Sequence, residues 1–330
     1  MAEFAMTDAV TGPTPSPIGR GAARTRPKGA SFEIWFEYLC FAAATMLLAT
    51  LGGILISLVI GGWPAFSKFG LSFFVTSTWD PVEGVFGVSA LIVDTVLVAA
   101  LALLMAVPIA FGVAFFLVEL CPTFLRRAIG TAVELLAGIP SIVFGMWGLF
   151  VFGPVFAQFV EHPLMDAAPP GSLWDHLTSG VPNGTGILAA SIIVAMMVLP
   201  FIAATLRELL LTVPAQVRES AYGLGATTGE VVMKVTLPYV RRGAIGAVML
   251  GLGRALGETM AVTFIIGNAH NFPKSLFDSG ATIASTIANE FAEATTPLHT
   301  AALLASGLVL FVITFVVLAM ARMMIGRPRV

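Results

Sequence analysis

Two ionisable residues, Arg254 and Glu258, stand four apart in the stretch GRALGETMAV, residues 253–262. The segment around them is otherwise suited to hydrocarbon. A guanidinium presents a planar fork of donors, stays charged at any working pH, and suits an oxyanion. A carboxylate four residues on lies on the same face of a helix, so the spacing predicts that Glu258 pairs with Arg254 and holds the fork in place. An unpaired Arg at mid-bilayer costs between ~2.5 and ~17 kcal/mol, so the pair must face a protein interior or a water-filled path. An ion pair that fixes helix register alone is the plainer alternative. Gly251, Gly253, Ala255 and Gly257 are all small, and Gly253-x3-Gly257 is a pattern that lets a second backbone come close.

The rest of the chain has to supply a membrane setting for this pair. Of its 330 residues 57% are hydrophobic and only 11% charged, with mean hydropathy +0.93. Soluble domains carry about 25% charged residues, so composition alone makes this an integral membrane protein. Six stretches meet the need for about 20 mostly apolar residues, near 35–60, 88–118, 129–159, 186–206, 243–267 and 299–324. All must be helical, because lipid offers no partner to a free backbone group. The expected fold class is therefore all-α. Residues 1–30, rich in Pro, Gly, Ser, Thr and Arg, form a tail that cannot bury enough apolar surface to fold. Residues 31–87 supply the first span and an outer loop, and 88–325 the main transmembrane domain.

Charge sets the orientation. With the N-terminus inside, fourteen Lys and Arg fall on the cytoplasmic side, among them Arg126, Arg127, Arg207, Arg218, Lys234, Arg241 and Arg242. Only Lys68 and Lys274 fall outside, and Arg254 remains in the membrane. That asymmetry predicts a multi-pass protein with both termini cytoplasmic.

Other reactive residue types have plainer readings. Trp63, Trp79, Phe159 and Trp174 stand near the ends of outer loops and read as interfacial anchors. His162, His176, His270 and His299 are scattered near the outer side with no metal-ligand spacing. Cys40 and Cys121 read as packing residues. Asp94 fits snorkelling or capping near the outer boundary, and Glu134 an inner-face position beside Arg126 and Arg127. Both are also what a proton relay would use. Pro140 breaks or kinks the third span.

The longest inner loop, 207–242, reads RELLLTVPAQVRESAYGLGATTGEVVMKVTLPYVRR. Pro214 suits the start of a helix and Gly223 and Gly225 its end. Thr227 with Glu230 fits a capping box that opens a second helix, which Pro238 closes or kinks. Two short helices with a glycine elbow between them would offer a surface outside the membrane. A featureless amphipathic connector explains the helices but not these offsets.

At this point the chain resembles a family. Glu219-Ser220-Ala221, then Gly225, then Val235-Thr236-Leu237-Pro238 is similar to the EAA-x3-G-x9-I-x-L-P loop of ABC-importer permeases, with Ser for Ala and Val for Ile as departures. The stretch 251–262, GLGRALGETMAV, resembles the fifth-span motif of phosphate-importer permeases of the PstC type. Met260-Ala261 after Gly-Glu-Thr departs from the sister PstA type, and ELLAGIPSIVFG, 134–145, also looks like that family.

The resemblance implies a MetI-like type I ABC-importer fold with six spans and a cytoplasmic coupling helix in the bacterial inner membrane. Glu219, Ser220, Ala221, Gly225, Leu237 and Pro238 would serve ATPase coupling, and Arg254 and Glu258 the substrate pathway. It implies a second permease (PstA type), two copies of an ATPase (PstB type), a periplasmic phosphate-binding protein (PstS type), inorganic phosphate and membrane lipid as partners, with no nucleic acid. Glu258 could accept a hydrogen from HPO4²⁻, which a fully ionised sulfate does not offer. No catalytic residue, metal or cofactor is expected. GxxxxGK[ST] is absent, so the partner ATPase binds ATP and this chain is no enzyme. Two rivals stand beside this reading. One is a permease of the same fold for sulfate or molybdate. The other is a proton-driven secondary transporter or a membrane enzyme, disfavoured by the inner loop and by the lack of a nucleophile–base constellation.

Overall fold

The computed structural model describes residues 30–324; the N-terminal tail expected over 1–30 lies almost wholly outside them. Helix α1 (Ala30–Phe69) is followed by a short helix α2 (Ser72–Val75) and a two-stranded antiparallel hairpin, β1 (Trp79–Asp80) and β2 (Val85–Phe86). Next come α3 (Ser89–Phe115), extended by a π-turn to Leu120, α4 (Thr123–Ala137), and α5 (Ser141–Asp166), which carries two π-turns. Helices α6 (Leu173–Thr178), α7 (Ile187–Leu211) and α8 (Ala215–Gly223) follow. Helix α9 runs over 228–256 through a π-turn at Val232–Thr236, and α10 is Met260–Ile265. The order closes with α11 (Ile283–Glu290) and α12 (Pro297–Met324).

Two compact units divide the chain, 1–54 and 55–330. In the first, α1 exposes Trp35, Phe36, Phe41, Met46 and Leu47. Cys40 is exposed there as well, so it is not the packing residue its type suggested, whereas Cys121 is buried.

In the second unit the core forms where α3 lies along α7. Ala99, Ala102, Ala106, Ala110 and Ala114 recur at helical spacing on α3, each fully buried. Between apolar helices in lipid the gain comes from close packing and not from expelling water, and an alanine stripe permits it. Ala190, Ile193, Val194, Val198, Ile202 and Leu206 face them from α7.

Among the described residues five helices are long and apolar enough to cross a membrane: Ile34–Phe69, Ser89–Leu120, Ser141–Asp166, Ile187–Leu211 and Pro297–Met323. Two expected spans differ from this. The stretch expected at 129–159 is divided at Gly138–Pro140, because proline lacks the N–H a helix needs and disfavours helix before it. Its first nine residues, 129–137, belong to the separate helix α4, and the crossing segment begins at Ser141. The stretch expected at 243–267 is likewise not one helix; it is the end of α9, a break at 257–259, and α10.

Candidate functional site

The inner-loop elbow is built from local chemistry. Pro214 stands just before α8 with φ −57° and ψ 135°: its ring fixes φ near the helical value, and its missing N–H is lost where a helix has no partner for it. At the other end Gly225 has φ +88°, the left-handed region where a glycine carries no Cβ penalty. The Ala226 N–H donates to the Ala221 carbonyl (3.2 Å) and the Gly225 N–H to the Tyr222 carbonyl (2.9 Å), so the last carbonyls of α8 are satisfied. Thr227 then opens α9 with a complete capping box: its Oγ1 accepts from the Glu230 N–H (3.4 Å), and Glu230 Oε2 accepts from the Thr227 N–H (3.1 Å). The Thr227 N–H, with Lys234 Nζ at 3.0 Å, pulls the Glu230 carboxyl down to about 2.

No residue of α8 is buried. Glu219, Ser220, Gly225 and Pro238 are exposed, Ala221 and Leu237 half-buried. Val217, Tyr222 and Leu224 add apolar surface, Leu224 at 90% exposure. The helix is moored from one side by Arg218, whose Nη1 lies 3.1 Å from Glu119 Oε1 at the end of α3. Arg207 on α7 similarly holds Glu134 of α4 at 2.7 Å, so Glu134 is an ion-pair partner at a helix contact. Pro238 does not close the second helix. It occupies the first turn of the α-helical stretch after the π-turn, and α9 continues past it to Leu256.

Arg254 stands in the last turn of α9, one turn before the break. Gly257 ends that helix and Thr259 takes φ −111°, ψ −69°. The expected Arg254–Glu258 pair therefore does not form, because the two residues do not share a continuous helix. No nitrogen of Arg254 comes within 4.0 Å of a Glu258 carboxylate oxygen. Glu258 is buried and its Oε1 accepts from the Ala261 N–H (3.3 Å), capping α10. The Arg254 guanidinium carbon lies 5.8 Å from the centre of the Phe201 ring on α7, a cation–π contact. Its Nε is buried with no hydrogen-bond partner among the described residues. No second backbone comes close at Gly253 or Gly257; of this small-residue run Gly251 is tightly packed, against side chains of α7, where an added Cβ would lie 2.6 Å from Ile202 Cδ1. A backbone approach falls at Gly145, where an added Cβ would lie 2.9 Å from Ala261 Cα.

The outer side holds groups that sequence reasoning left apart. Glu290 Oε2 accepts from Trp79 Nε1 and His299 Nε2, both at 2.8 Å, and its Oε1 lies 3.4 Å from His270 Nε2. Trp79 is 7% exposed, so it is a core residue and not an interfacial anchor. Burial holds the His270 pKa below its ordinary value, with Glu290 pulling the other way. These four residues come from the hairpin, the 267–282 segment, α11 and α12; no short-range signal joins them. Asp94 is fully buried, and its Oδ2 accepts from the Ala281 N–H (2.9 Å), so it caps backbone and does not snorkel. Thr95 beside it accepts from the Ile283 N–H (3.0 Å) at the start of α11. Among the described residues no group of three or more His, Cys, Asp or Glu side chains is placed to hold a metal.

This helical chain has counterparts among known proteins. Residues 106–330 match the family described as binding-protein-dependent transport system inner membrane component. The phosphate transport system permease protein PstC of Mesorhizobium japonicum is 54% identical over 289 residues, covering 87% of this chain and 88% of that protein. The protein of the same name from Pasteurella multocida is 49% identical over 295 residues, covering 89% and 92%. The chain belongs to this family, in its PstC branch. Among solved structures it is similar to a chain of a bacterial alginate ABC transporter, at TM-score 0.57 and 19% identity, covering 91% of this chain and 98% of that one. The fold is thus the MetI-like permease fold of ABC transporters, and the chain is a multi-pass inner-membrane transport subunit.

Proposed function

We propose that this chain is one permease subunit of an ATP-driven importer of inorganic phosphate and forms half of the anion pathway. A second, PstA-type permease supplies the other half, two copies of a PstB-type ATPase hydrolyse ATP, and a periplasmic PstS-type protein delivers phosphate. The observation that carries the substrate is kinship over nearly the whole length with permeases named for phosphate transport. The coupling role rests on the elbow: no residue of α8 is fully buried, and the elbow offers Val217, Tyr222 and Leu224 beside Glu219 and Ser220.

Force on the elbow has a path to the anion. From Thr228 to Arg254 the backbone is one helix, roughly 40 Å at 1.5 Å per residue. Displacing the elbow moves the base of the helix that carries Arg254, which serves as the pathway cation, with Glu258 holding the next helix in register. The excess of Lys and Arg in 207–242 supports a cytoplasmic position for the elbow and the termini.

Reconstitution of the four proteins together is expected to give phosphate uptake that requires ATP and ignores sulfate. Uptake of sulfate or molybdate in its place, or uptake driven by a proton gradient without ATP, would refute the proposal.

A further inference from the structure

A polar cavity of ≈ 790 Å³ opens at the opposite end of α10 from the Glu258 break. Ala269 and Ser279 on its wall flank the backbone bridge between Gly267 and Gly280. The Gly280 N–H donates to the Ile266 carbonyl (3.0 Å), directly after α10. Six residues of helix, roughly 9 Å, thus separate the cavity floor from the break beside Arg254.

The polar lining is mostly hydrogen-bond donors. Lys274 is the one Lys or Arg in residues 268–298, is exposed, and has no ion pair among the described residues. Asn183 spends its Oδ1 on the Thr185 N–H (2.9 Å) and Oγ1–H (2.8 Å), which leaves its amide N–H groups to donate. Asn271, Ser77 and Ser279 add further donors. The one carboxylate, Asp278, turns Oδ2 to the N–H groups of Lys274 (2.9 Å) and Ser275 (3.2 Å). Its Oδ1 faces Gly180, another wall residue, 3.3 Å from where a Cβ would stand.

We infer that this cavity is an outer reception site for the transported oxyanion, with Lys274 supplying the charge and Asp278 accepting the hydrogen of a protonated oxyanion. This rests on the phosphate reading above. A solvated lysine holds an anion weakly and in a salt-dependent way, as a transfer station requires, because an ion held firmly here would not move on.

Val181→Cys in a Cys40→Ala background places a thiol on the cavity wall at an exposed apolar position that donates nothing to the anion. Its reaction with a neutral maleimide is followed on this chain's own band, in the complex with sister permease and ATPase but without the binding protein. At equal ionic strength inorganic phosphate is expected to slow labelling about threefold against chloride, the scale of one exposed ion pair. Sulfate should protect less, Lys274→Arg should keep the protection and Lys274→Gln should lose it. Equal rates in phosphate and chloride, in a complex that still imports phosphate, would overturn the site and leave the permease assignment standing. A complex that imports no phosphate would instead defeat the functional reading itself. Protection that survives Lys274→Gln, with stimulation of the ATPase by the binding protein lost, would make this face a docking surface for that protein and also overturn the site.

Discussion

Helix α9 is bounded by two glycine-marked interruptions, and they are finished differently. At the elbow, 224–227, both flanking helices are capped by side chain and backbone, and a carboxylate, a hydroxyl and a lysine satisfy one another. At the break, 257–259, Glu258 accepts from the Ala261 N–H (3.3 Å) and the Thr259 hydroxyl donates to the Gly257 carbonyl (3.2 Å), while the Arg254 Nε nearby has no hydrogen-bond partner among the described residues. The first is complete within this chain and displays a surface. The second is half-buried, with Glu258 inside and Gly257 exposed, and it leaves a buried donor of Arg254 unused, which is costly unless something else meets it. An exposed element completed locally suits a protein contact; a half-buried one with an unused donor suits a passing anion or a facing subunit.

The largest effect is therefore expected at the break. Arg254→Lys keeps the charge but replaces the planar fork with a point donor, and should lower phosphate uptake tenfold or more, on the order of 1.4 kcal/mol, at unchanged complex yield. Because Arg254 and Glu258 do not pair, the exchange Arg254→Glu with Glu258→Arg should not restore uptake. Normal uptake in the lysine variant, or rescue by the exchange, would reduce Arg254 to a packing residue. Uptake is to be scored alongside the amount of assembled complex.

Gly225→Val should act next most strongly, and by another route. Open space surrounds Gly225, since an added Cβ would meet nothing within 4 Å. The cost is in the backbone: left-handed φ costs an ordinary residue roughly 1–2 kcal/mol. The elbow should shift, and stimulation of the ATPase by the binding protein should fall several-fold while the spans assemble normally. Gly225→Ala should be milder. Full coupling in the valine variant would detach the elbow from ATPase docking.

The contrast also explains what the sequence disclosed. The elbow was legible because each of its signals is local: Pro214 before a helix, Gly225 after it, and Thr227 three residues before Glu230. The break was not, since Gly257 and Thr259 are tolerable within an apolar helix, and their φ and ψ follow from contacts with other elements. The backbone approach of Gly145 to Ala261, from a segment over a hundred residues away, is one of those contacts. The pairing of Arg254 with Glu258 failed with the helix it presumed. The same limit hid the Trp79–Glu290–His299 cluster, whose members lie 211 and 9 residues from Glu290. A tryptophan near a loop end carries no mark of what it will pack against, so Trp79 read as an anchor. The alanine stripe of α3 was visible in principle, as small residues at helical spacing, and gives the register of its contact with α7.

The smallest expected effect tests whether the elbow really is finished by its own side chains. Thr227→Ala removes the acceptor for the Glu230 N–H, a loss worth about 1 kcal/mol at a helix start. Glu230 keeps its bond to the Thr227 backbone, so the first turn of α9 should loosen without unfolding. Amide exchange over 228–231 should quicken about fivefold, the ratio that ~1 kcal/mol represents, and Thr227→Ser should leave it unchanged. Acid supplies an independent handle. The Glu230 carboxyl titrates at about 2 against an ordinary 4.5, so its contribution is complete above about 4.5 and is lost only as pH falls towards 2. Exchange in this turn should accordingly be protected equally at pH 7 and pH 5, after correction for the intrinsic rate, in wild type. Faster corrected exchange at pH 5, or no change in Thr227→Ala, would show that packing and not the cap holds the elbow, and the distinction between the two interruptions would fail at its smaller end.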